Sequence, residues 1–423
     1  MRLFLLSGLL IVYSFLQAQI LPSIPESEVS RIEKTLAADD MQGRQVFTTG
    51  IEKAAAFIAK EFSKAGLKPL PGSKDYNQSF VMMEPESLDA NMTLNGAPVE
   101  KKNLAVFSAE SSLTITQDDH YQKVYVKTSA DFGEIVLKYL ESEENVLILV
   151  DTSLAIKFNW LAKLQMPQFS GKGNRIYVLA STDPVQYRIE IKQKMKKQSL
   201  TNVIGMIPGK SKPDEYVIFS AHYDHLGIGK PDANGDSIYN GANDDASGTT
   251  AVIALAGYFS KIHNNERTLI FAAFTAEEVG EFGSAYFSGK FKPEKVKAML
   301  NIEMIGTESK WGRNSAYITG YDRSDLGSIL QKNLGNTPFK FYPDPYPEQQ
   351  LFLRSDNASL AKQGVPAHSI STSKMDVEKY YHKQGDEIGT LDLANMTEII
   401  RAIGLSASSV ISGKDTPSRV QME

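Results

Sequence analysis

The chain has 423 residues, of which 42% are hydrophobic, 9% aromatic and 22% charged. These values are ordinary for globular proteins and argue against a disordered, collagen-like or fibrous chain. With a formal net charge of -5, the chain as a whole offers no attraction to nucleic acid or to an anionic membrane surface. The absence of cysteine excludes disulfides, thiolate ligands and a cysteine nucleophile, so any metal must be bound by His, Asp or Glu.

The first residues have the pattern of an export signal. Arg2 is followed by an apolar run over residues 3–16 and by the small residue Ala18. This order predicts a signal peptide over residues 1–18, cleaved after Ala18, and a secreted or periplasmic protein without stable membrane association. An uncleaved N-terminal anchor is the alternative, although the run is shorter than the roughly 20 apolar residues of a membrane span.

The next part of the chain combines two helical segments with a long stretch of mixed character. Apolar residues recur at helical spacing over residues 30–38 and 50–65. Residues 81–198 mix polar turns with short strands, as at 123–126 and 145–150, which predicts an α+β insertion subdomain. The lysines of residues 192–197 favour a solvated helix face over a site for an anionic partner.

From residue 202 onward, short apolar runs alternate with amphipathic helices. Helices are predicted over residues 249–262 and 391–411, and the strand candidates are residues 216–221, 268–275, 296–302, 316–319 and 367–371. This alternation predicts an α/β fold, a three-layer sandwich with a mixed, largely parallel central sheet. The sandwich would be built from residues 19–80 and 199–415, interrupted by the insertion at 81–198.

Acidic and imidazole side chains follow the predicted strands at the same edge of the sheet, where ligands bind in such folds. They are His222, Asp224, Glu277, Glu278 and Glu303, joined by Asp244 in the turn before the helix at 249–262. Gathering several carboxylates is unfavourable unless a cation compensates their charge. The pattern therefore predicts a hydrolytic metal centre, for which zinc is favoured and manganese or cobalt are alternatives.

Spacing suggests roles for some of these residues. Asp224 lies two residues beyond His222 and points to the same side of an extended chain, so its carboxylate is expected to orient the imidazole. Glu277 and Glu278 are adjacent, so one can bind metal while the other accepts a proton from metal-bound water. Two exposed glutamates that open a helix are the alternative. Asp245 precedes a helix and is expected to cap it.

The other histidines are weighed one by one. His120 and His263 lie in polar segments and are expected at the surface. His368 lies within a predicted strand and is typical of a core histidine, whereas His225 follows the metal motif and could line the site. His382 lies in a loop ahead of the last helix, and a carboxylate follows four residues later.

Five motifs in this order resemble the di-zinc exopeptidase family, which includes bacterial leucyl aminopeptidases, glutamate carboxypeptidase II and the glutaminyl cyclases. The motifs are His222-x-Asp224, residues 241–248 (GANDDASG), Glu277-Glu278, residues 301–306 (NIEMIG), and Tyr381-His382 with Asp386. The resemblance covers about residues 43–70 and 202–411 and leaves the insertion outside. It implies the zinc-exopeptidase fold, with residues 19–80 and 199–415 as a discontinuous zinc peptidase domain.

The resemblance also implies a ligand set for two zinc ions per chain. Asp244 would bridge the ions, with His222 and Glu303 on one ion and Glu278 and His382 on the other. Better known aminopeptidases carry aspartate at the position of Glu303, so this ligand is one methylene longer here.

The resemblance assigns catalysis to Glu277, as general base for a metal-bridging water, with Asp224 as the partner of His222. The implied function is an exported zinc-dependent aminopeptidase that removes N-terminal residues from peptides. The alternatives are a mono-zinc glutaminyl cyclase, a glutamate-type carboxypeptidase and a non-catalytic binding protein. Residues 341–354, rich in proline and aromatic residues, are predicted as a loop either over the substrate pocket or at the surface.

Overall fold

The structure is a computed structural model that describes residues 23–140, 142–164, 167–170 and 172–422. The predicted signal peptide over residues 1–18 lies outside the described residues. The chain divides into two compact units, one of Met1–Gln78 with Thr201–Glu423 and one of Ser79–Leu200. Among the described residues, no helix is both long enough and apolar enough to cross a membrane.

The strands and helices are numbered in chain order. The strands are β1 (Asn77–Leu94), β2 (Ala97–Val99), β3 (Leu104–Phe107), β4 (Ser112–Thr116), β5 (Gln122–Val126), β6 (Val146–Val150), β7 (Gln168–Phe169), β8 (Arg175–Leu179), β9 (Tyr187–Ile207), β10 (Lys212–His222), β11 (Gly227–Ile228), β12 (Ile238–Tyr239), β13 (Arg267–Phe274), β14 (Val296–Ile302), β15 (Ser315–Ile318), β16 (Lys340–Pro343) and β17 (Ala367–Ser371). The helices are α1 (Glu26–Leu36), α2 (Thr49–Lys64), α3 (Ser129–Leu140), α4 (Ala155–Leu161), α5 (Ser247–Ile262), α6 (Phe282–Ser288), α7 (Leu326–Leu334), α8 (Ala358–Ala361), α9 (Leu393–Ser406) and α10 (Ser408–Ile411).

The central sheet of the first unit has the strand order β16-β15-β17-β14-β10-β13-β9. Strands β17, β14, β10 and β13 run parallel to their neighbours in the middle of the sheet. Antiparallel pairs follow on both sides, between β15 and β17 and between β13 and β9. The predicted α/β fold with a mixed, largely parallel sheet is therefore confirmed.

Helices cover both faces of this sheet. Helix α5 packs on β10, β13 and β14, and α1 and α9 pack on α5. On the opposite face, Phe287 of α6 and Leu360 of α8 share a buried apolar cluster with Ile218 and Ile270 of the sheet. Because both faces are covered, β13 and β14 are buried along nearly their whole length. The sheet is thus the middle layer of three.

Most predicted elements of this unit appear at or near their predicted positions. The strands predicted at 296–302 and 367–371 have the observed bounds of β14 and β17. Strand β16 was missed, because residues 341–354 were predicted as a loop. Its residues pair with β15 at the edge of the sheet and end at Pro343, a place where the missing N–H of proline is tolerated.

The second unit contains its own small sheet, in the order β3-β8-β6-β5. Phe132 of α3 and Phe158 of α4 pack on its buried strands. The prediction of a helix face at residues 192–197 was wrong, because these lysines lie on β9. Its buried and exposed residues alternate with period two between Tyr187 and Lys194, as on a half-buried strand.

A buried acid in the first unit gives a testable pH dependence of stability. Glu33 of α1 is fully buried and accepts a hydrogen bond from Thr250 of α5 at 2.7 Å, while its Oε1 has no hydrogen-bond partner in the described part of the chain. Burial raises the pKa of Glu33 from 4.5 to about 8. The folded state therefore binds this proton more tightly than the unfolded state does, and the wild type loses stability as the pH rises from about 4.5 to 8.

We expect Glu33→Gln to remove this loss. Its free energy of unfolding, measured by urea denaturation, should exceed that of the wild type by a difference that grows from pH 4.5 to 8 and reaches the order of a few kcal/mol. Glu26→Gln, at an exposed position of the same helix, is the control. A difference that stays constant over this pH range would contradict the prediction.

Candidate metal centre and active site

The site lies at the carboxyl ends of the parallel strands. Strand β10 ends at His222, Glu277 and Glu278 lie beyond β13, and Glu303 follows β14 directly. Asp244 lies in the short turn before α5. The strand order places β10 between β13 and β14, so loops distant in sequence converge here.

The first cluster of possible ligands is formed by His222, Asp244 and Glu303. His222 Nε2 lies 3.3 Å from Asp244 Oδ1 and 3.5 Å from Glu303 Oε1. Ser355 Oγ donates a hydrogen bond of 2.7 Å to the other oxygen of Glu303, Oε2. The serine thus leaves Oε1 facing the imidazole.

The second cluster uses the other oxygen of Asp244. His382 Nε2 lies 3.3 Å from Asp244 Oδ2 and 3.1 Å from Glu278 Oε2. These contacts raise the pKa of His382 to about 10. His225 also reaches this cluster, with Nδ1 2.7 Å from Glu278 Oε1. Asp244 is therefore the residue common to both clusters.

The donor sets fit divalent metal ions. The nitrogen and oxygen atoms of His222, Asp244 and Glu303 lie within 4.8 Å of one another, as do those of His225, Asp244 and Glu278. In a tetrahedral zinc site with bonds of about 2.0–2.2 Å, neighbouring donor atoms are about 3.3–3.6 Å apart. The distances from Asp244 to His222 and His382 are close to this spacing. Imidazole and carboxylate donors without thiolates suit zinc.

The charge of the site also favours cations. Burial raises the pKa of Asp244, but hydrogen bonds with His222 and His382 outweigh it and hold this pKa well below its usual range. Burial lowers the pKa of His222, but Glu303 and Glu277 reverse that effect and raise it well above 6.5. The carboxylates thus favour positive charge on the two imidazoles, and a bound cation would take the place of those protons.

Glu277 lies beside the first cluster but outside both donor sets. Its Oε2 is 3.9 Å from His222 Nε2, and 14% of its side chain is exposed. Burial raises its pKa well above 4.5, and the negative charge of Glu303 acts in the same direction against the opposing effect of His222. A carboxylate that is close to the first cluster yet outside both donor sets can accept and release a proton.

Asp224 acts differently from the prediction. His222 Nδ1 lies 3.0 Å from the carbonyl oxygen of Asp224 but 3.8 Å from its carboxylate. The carboxylate instead accepts backbone hydrogen bonds from Glu277 at 3.1 Å and Glu278 at 3.3 Å. The prediction that the carboxylate orients the imidazole is therefore corrected: the carbonyl does so, and the carboxylate holds the turn that carries the two glutamates.

Two further acids hold the Asp244 turn. Asp386 accepts hydrogen bonds from the backbone nitrogens of Asn243 at 2.8 Å and Asp244 at 3.0 Å. Asp245 Oδ1 accepts one from Gly248 at 2.9 Å at the start of α5. The peptide bond between Asp244 and Asp245 is cis. The hydrogen bonds to Asp386 and Asp245 fix the backbone on each side of Asp244.

Arg44 is a positioning residue that sequence reasoning missed. Its guanidinium is fully buried and donates hydrogen bonds of 2.6–2.9 Å to four carbonyl oxygens. The acceptors are Leu36, Tyr223, Asn240 and Gly241. Tyr223 lies between His222 and Asp224, and Gly241 opens the Asp244 turn, so Arg44 ties two ligand loops together. The only sequence signal was its place in the segment 43–70 of the family resemblance.

We expect Arg44→Lys to loosen the site. Lysine has one nitrogen and cannot reach four separated carbonyls, so buried acceptors lose their partners. The free energy of unfolding should fall by about 3 kcal/mol or more, and zinc retained after dialysis against a weak chelator should fall as well. Arg267→Lys is the matched control, because Arg267 is equally buried but bonds to Glu215 and to carbonyls of Val410 and Asp415. Equal zinc loss in both variants would contradict a specific role.

The other histidines occupy different environments. His368 is buried in β17, where its ring contacts the carbonyl of Thr319 and the hydroxyl of Ser324. It is a core histidine with both nitrogens satisfied. His120 and His263 are exposed. Of the histidines weighed as uncertain, only His225 reaches the site among the described residues.

The pocket above the two clusters has a volume of about 60 Å³. Its wall includes Leu351 and Arg354 from the segment 341–354, which therefore contributes to the pocket through its last residues. The pocket floor carries four carboxylates, those of Asp244, Glu277, Glu278 and Glu303. Hydroxyl groups of Thr319, Ser355, Ser369, Ser371 and Ser373 line the pocket as well.

Residues 202–406 match the family model described as peptidase family M28. This segment contains the residues of both clusters. We call this part of the chain the M28 segment. The resemblance to the di-zinc exopeptidases is thereby confirmed for the M28 segment.

Curated relatives of the chain include two fungal proteins. A probable zinc metalloprotease of Leptosphaeria maculans is 30% identical over 156 residues, which are 36% of this chain and 34% of that protein. Leucine aminopeptidase 1 of Aspergillus niger is 28% identical over 236 residues, which are 53% of this chain and 59% of that protein. The matched part thus spans about a third of the first relative's length and three fifths of the second's.

Solved structures extend the similarity of fold beyond the M28 segment. A zinc aminopeptidase from Bacillus subtilis has a TM-score of 0.56 at 17% identity, over 96% of this chain and all of that chain. A glutaminyl cyclase from Bacteroides thetaiotaomicron has a TM-score of 0.50 at 13% identity, over 94% of this chain and all of that chain. At such identities the likeness establishes the fold, which both kinds of enzyme share.

Proposed function

We propose that the protein is a zinc-dependent aminopeptidase that binds two zinc ions per chain and hydrolyses the first peptide bond of peptides to release the N-terminal residue. The observation that carries this proposal is the position of Asp244, whose two oxygens face two separate donor clusters. A single ion would need one cluster, whereas here each oxygen of the shared carboxylate has its own histidine and glutamate. One relative is named leucine aminopeptidase 1 and one similar structure is that of a zinc aminopeptidase, which supports the same assignment.

His222 and Glu303 would hold one ion, Glu278 and His382 the other, and Asp244 both. Bound zinc supplies Lewis acidity, which polarises a peptide carbonyl and makes water more acidic. The pocket that adjoins both clusters accepts the N-terminal residue of the substrate, and its carboxylates favour an unblocked, positively charged amine.

Glu277 is the proton carrier of the proposed reaction. Its carboxylate lies near the first cluster without being held by it, so it can accept the proton of the attacking water and deliver it to the leaving amine. Asp224 keeps Glu277 in place through the backbone hydrogen bond at the Glu277 nitrogen. His222 is oriented by the Asp224 carbonyl, which leaves its Nε2 for the metal.

The second candidate function is a glutaminyl cyclase, which the similarity of fold favours. The second cluster of this chain argues against that function. His382 Nε2 contacts both Asp244 Oδ2 and Glu278 Oε2, so this chain has candidate ligands for a second ion beside those for the first. A cyclase that works with one zinc would leave this cluster without a role.

The test combines metal analysis with two assays on the same purified protein. We expect two zinc ions per chain by elemental analysis, hydrolysis of aminoacyl-nitroanilides, and no cleavage when the amine is acetylated. One zinc per chain, cyclisation of a peptide with N-terminal glutamine and no hydrolysis would establish the cyclase instead. Release of C-terminal residues from amine-blocked peptides would establish a carboxypeptidase, and zinc binding without turnover of any of these substrates a binding protein.

The same proposal includes export through the predicted signal peptide at residues 1–18. An exported aminopeptidase would act on peptides outside the cytoplasm. N-terminal sequencing of the mature protein from culture medium and periplasm tests it. A mature chain that begins at Gln19 supports cleavage after Ala18, and an intact Met1 in the membrane fraction supports the anchor.

A further inference from the structure

His225 contacts the second cluster although the family motifs do not assign it a role. The ring is completely buried, and its Nδ1 lies 2.7 Å from Glu278 Oε1. The distance from Nδ1 to Asp244 Oδ2 is 4.0 Å, which is too long for a hydrogen bond. The close polar contact of this ring is therefore with Glu278.

The two oxygens of Glu278 face different histidines. Oε1 meets His225, whereas Oε2 lies 3.1 Å from His382 Nε2. An ionised carboxylate only accepts hydrogen bonds, so His225 Nδ1 must carry the proton in its contact with Oε1. The bond leaves Oε2 directed toward His382, which is the orientation that a metal at the second cluster would need.

The environment of the other ring nitrogen, Nε2, supports a proton on Nδ1. His225 Nε2 is buried and has no hydrogen-bond partner among the residues that the structure describes. A neutral ring with its single proton on Nδ1 places no N–H at this unpartnered position, whereas a charged ring or the other tautomer would bury an unpaired donor.

The ring is also held in place by the backbone around it. The backbone nitrogen of His225 donates to the carbonyl of Arg44 at 3.3 Å. Gly241 packs against the ring, and a Cβ at this position would lie 2.5 Å from His225 Cδ2. Gly241 also has a φ of 55°, so the absence of a side chain is required here for both space and conformation. A ring fixed on both sides can direct a flexible carboxylate.

We propose that His225 is a positioning residue for the second metal ion, which holds Glu278 through an Nδ1–H···Oε1 hydrogen bond and does not bind the ion itself. This inference rests on the proposed two-ion site. Its counterpart at the first cluster is Ser355, which holds Glu303 in the same manner through Oε2.

The test measures the two zinc affinities of the metal-free protein by competition with a chromophoric chelator. His225→Leu removes the donor, and His225→Asn keeps an N–H close to the position of Nδ1. We expect His225→Leu to weaken one of the two sites by about 10–100-fold and to leave the other unchanged. His225→Asn should restore the weakened affinity to within a few-fold of the wild type. Ser355→Ala is the matched control and should weaken the other site.

Unchanged zinc affinities in His225→Leu would overturn the inference. Equal loss of affinity in His225→Leu and His225→Asn would also overturn it, because that result is expected if His225 binds the zinc ion directly. Nitrogen-15 NMR of the zinc-loaded wild type tests it without any substitution, in case the leucine variant does not fold. We expect a protonated Nδ1 on His225, and an unprotonated, zinc-bound Nδ1 would overturn it. If the wild type binds fewer than two zinc ions, the proposed two-zinc function is contradicted. This result is distinct from the outcomes above, which concern only the role of His225.

Discussion

Glu277→Gln is expected to bind two zinc ions as the wild type does and to lose about a thousandfold in kcat for an aminoacyl-nitroanilide. Glutamine has the shape of glutamate but cannot accept the proton of the attacking water. Because Glu277 lies 3.9 Å from His222 Nε2 and outside both donor sets, its replacement leaves the ligand atoms in place. Zinc content by elemental analysis and initial rates on the same preparation measure both quantities.

The matched control for this prediction is Glu294→Gln, at an exposed position away from the site. It should keep both zinc ions and full activity. If Glu277→Gln loses zinc together with activity, Glu277 is a ligand, and if it keeps full activity, another group carries the proton.

Asp244→Asn is expected to weaken both zinc sites, because each carboxylate oxygen of Asp244 faces one cluster. An amide offers one oxygen and no negative charge, so both affinities should fall by more than about 100-fold. Glu278→Gln, by comparison, should weaken mainly the second site, since its Oε2 contacts His382 and its Oε1 contacts His225. Zinc titrations of the two metal-free variants measure the difference.

Asp214→Asn, at an exposed position, is the control and should bind zinc as the wild type does. Loss of a single ion in Asp244→Asn would show that the residue does not bridge. Circular dichroism of each metal-free variant establishes that the fold is retained, so that loss of zinc is not loss of structure.

Local patterns in the sequence predicted the sheet well. The strand at residues 296–302 was found at its predicted bounds, because an apolar run between a turn and a carboxylate marks a buried strand in almost any context. The edge strand Lys340–Pro343 was missed, since its pairing with β15 depends on a partner distant in sequence. The helix face predicted for residues 192–197 was wrong for a similar reason, since β9 pairs with β1 and β4 and Lys192 lies opposite Ser112.

Residue types and their spacing also predicted that the candidate ligands lie at one edge of the sheet. His222 and Glu303 lie at the ends of β10 and β14, and such neighbours at the end of a parallel sheet must be close. Whether these residues bind metal, and whether Glu277 carries the proton, stay predictions that the variants above test.

By itself, the sequence determined the α/β class, the order of the motifs that follow the central strands, and the presence of imidazole and carboxylate donors in those motifs. Hydrophobic periodicity and residue identity are local properties, so they can be read without the fold. The tertiary structure alone decided how the carboxylate oxygens are shared. It placed Arg44 against the loops around His222 and Asp244, His225 on one oxygen of Glu278, and the carbonyl of Asp224 on His222. Hydrogen bonds of this kind depend on distances and directions between loops far apart in the chain, which no spacing along the sequence contains.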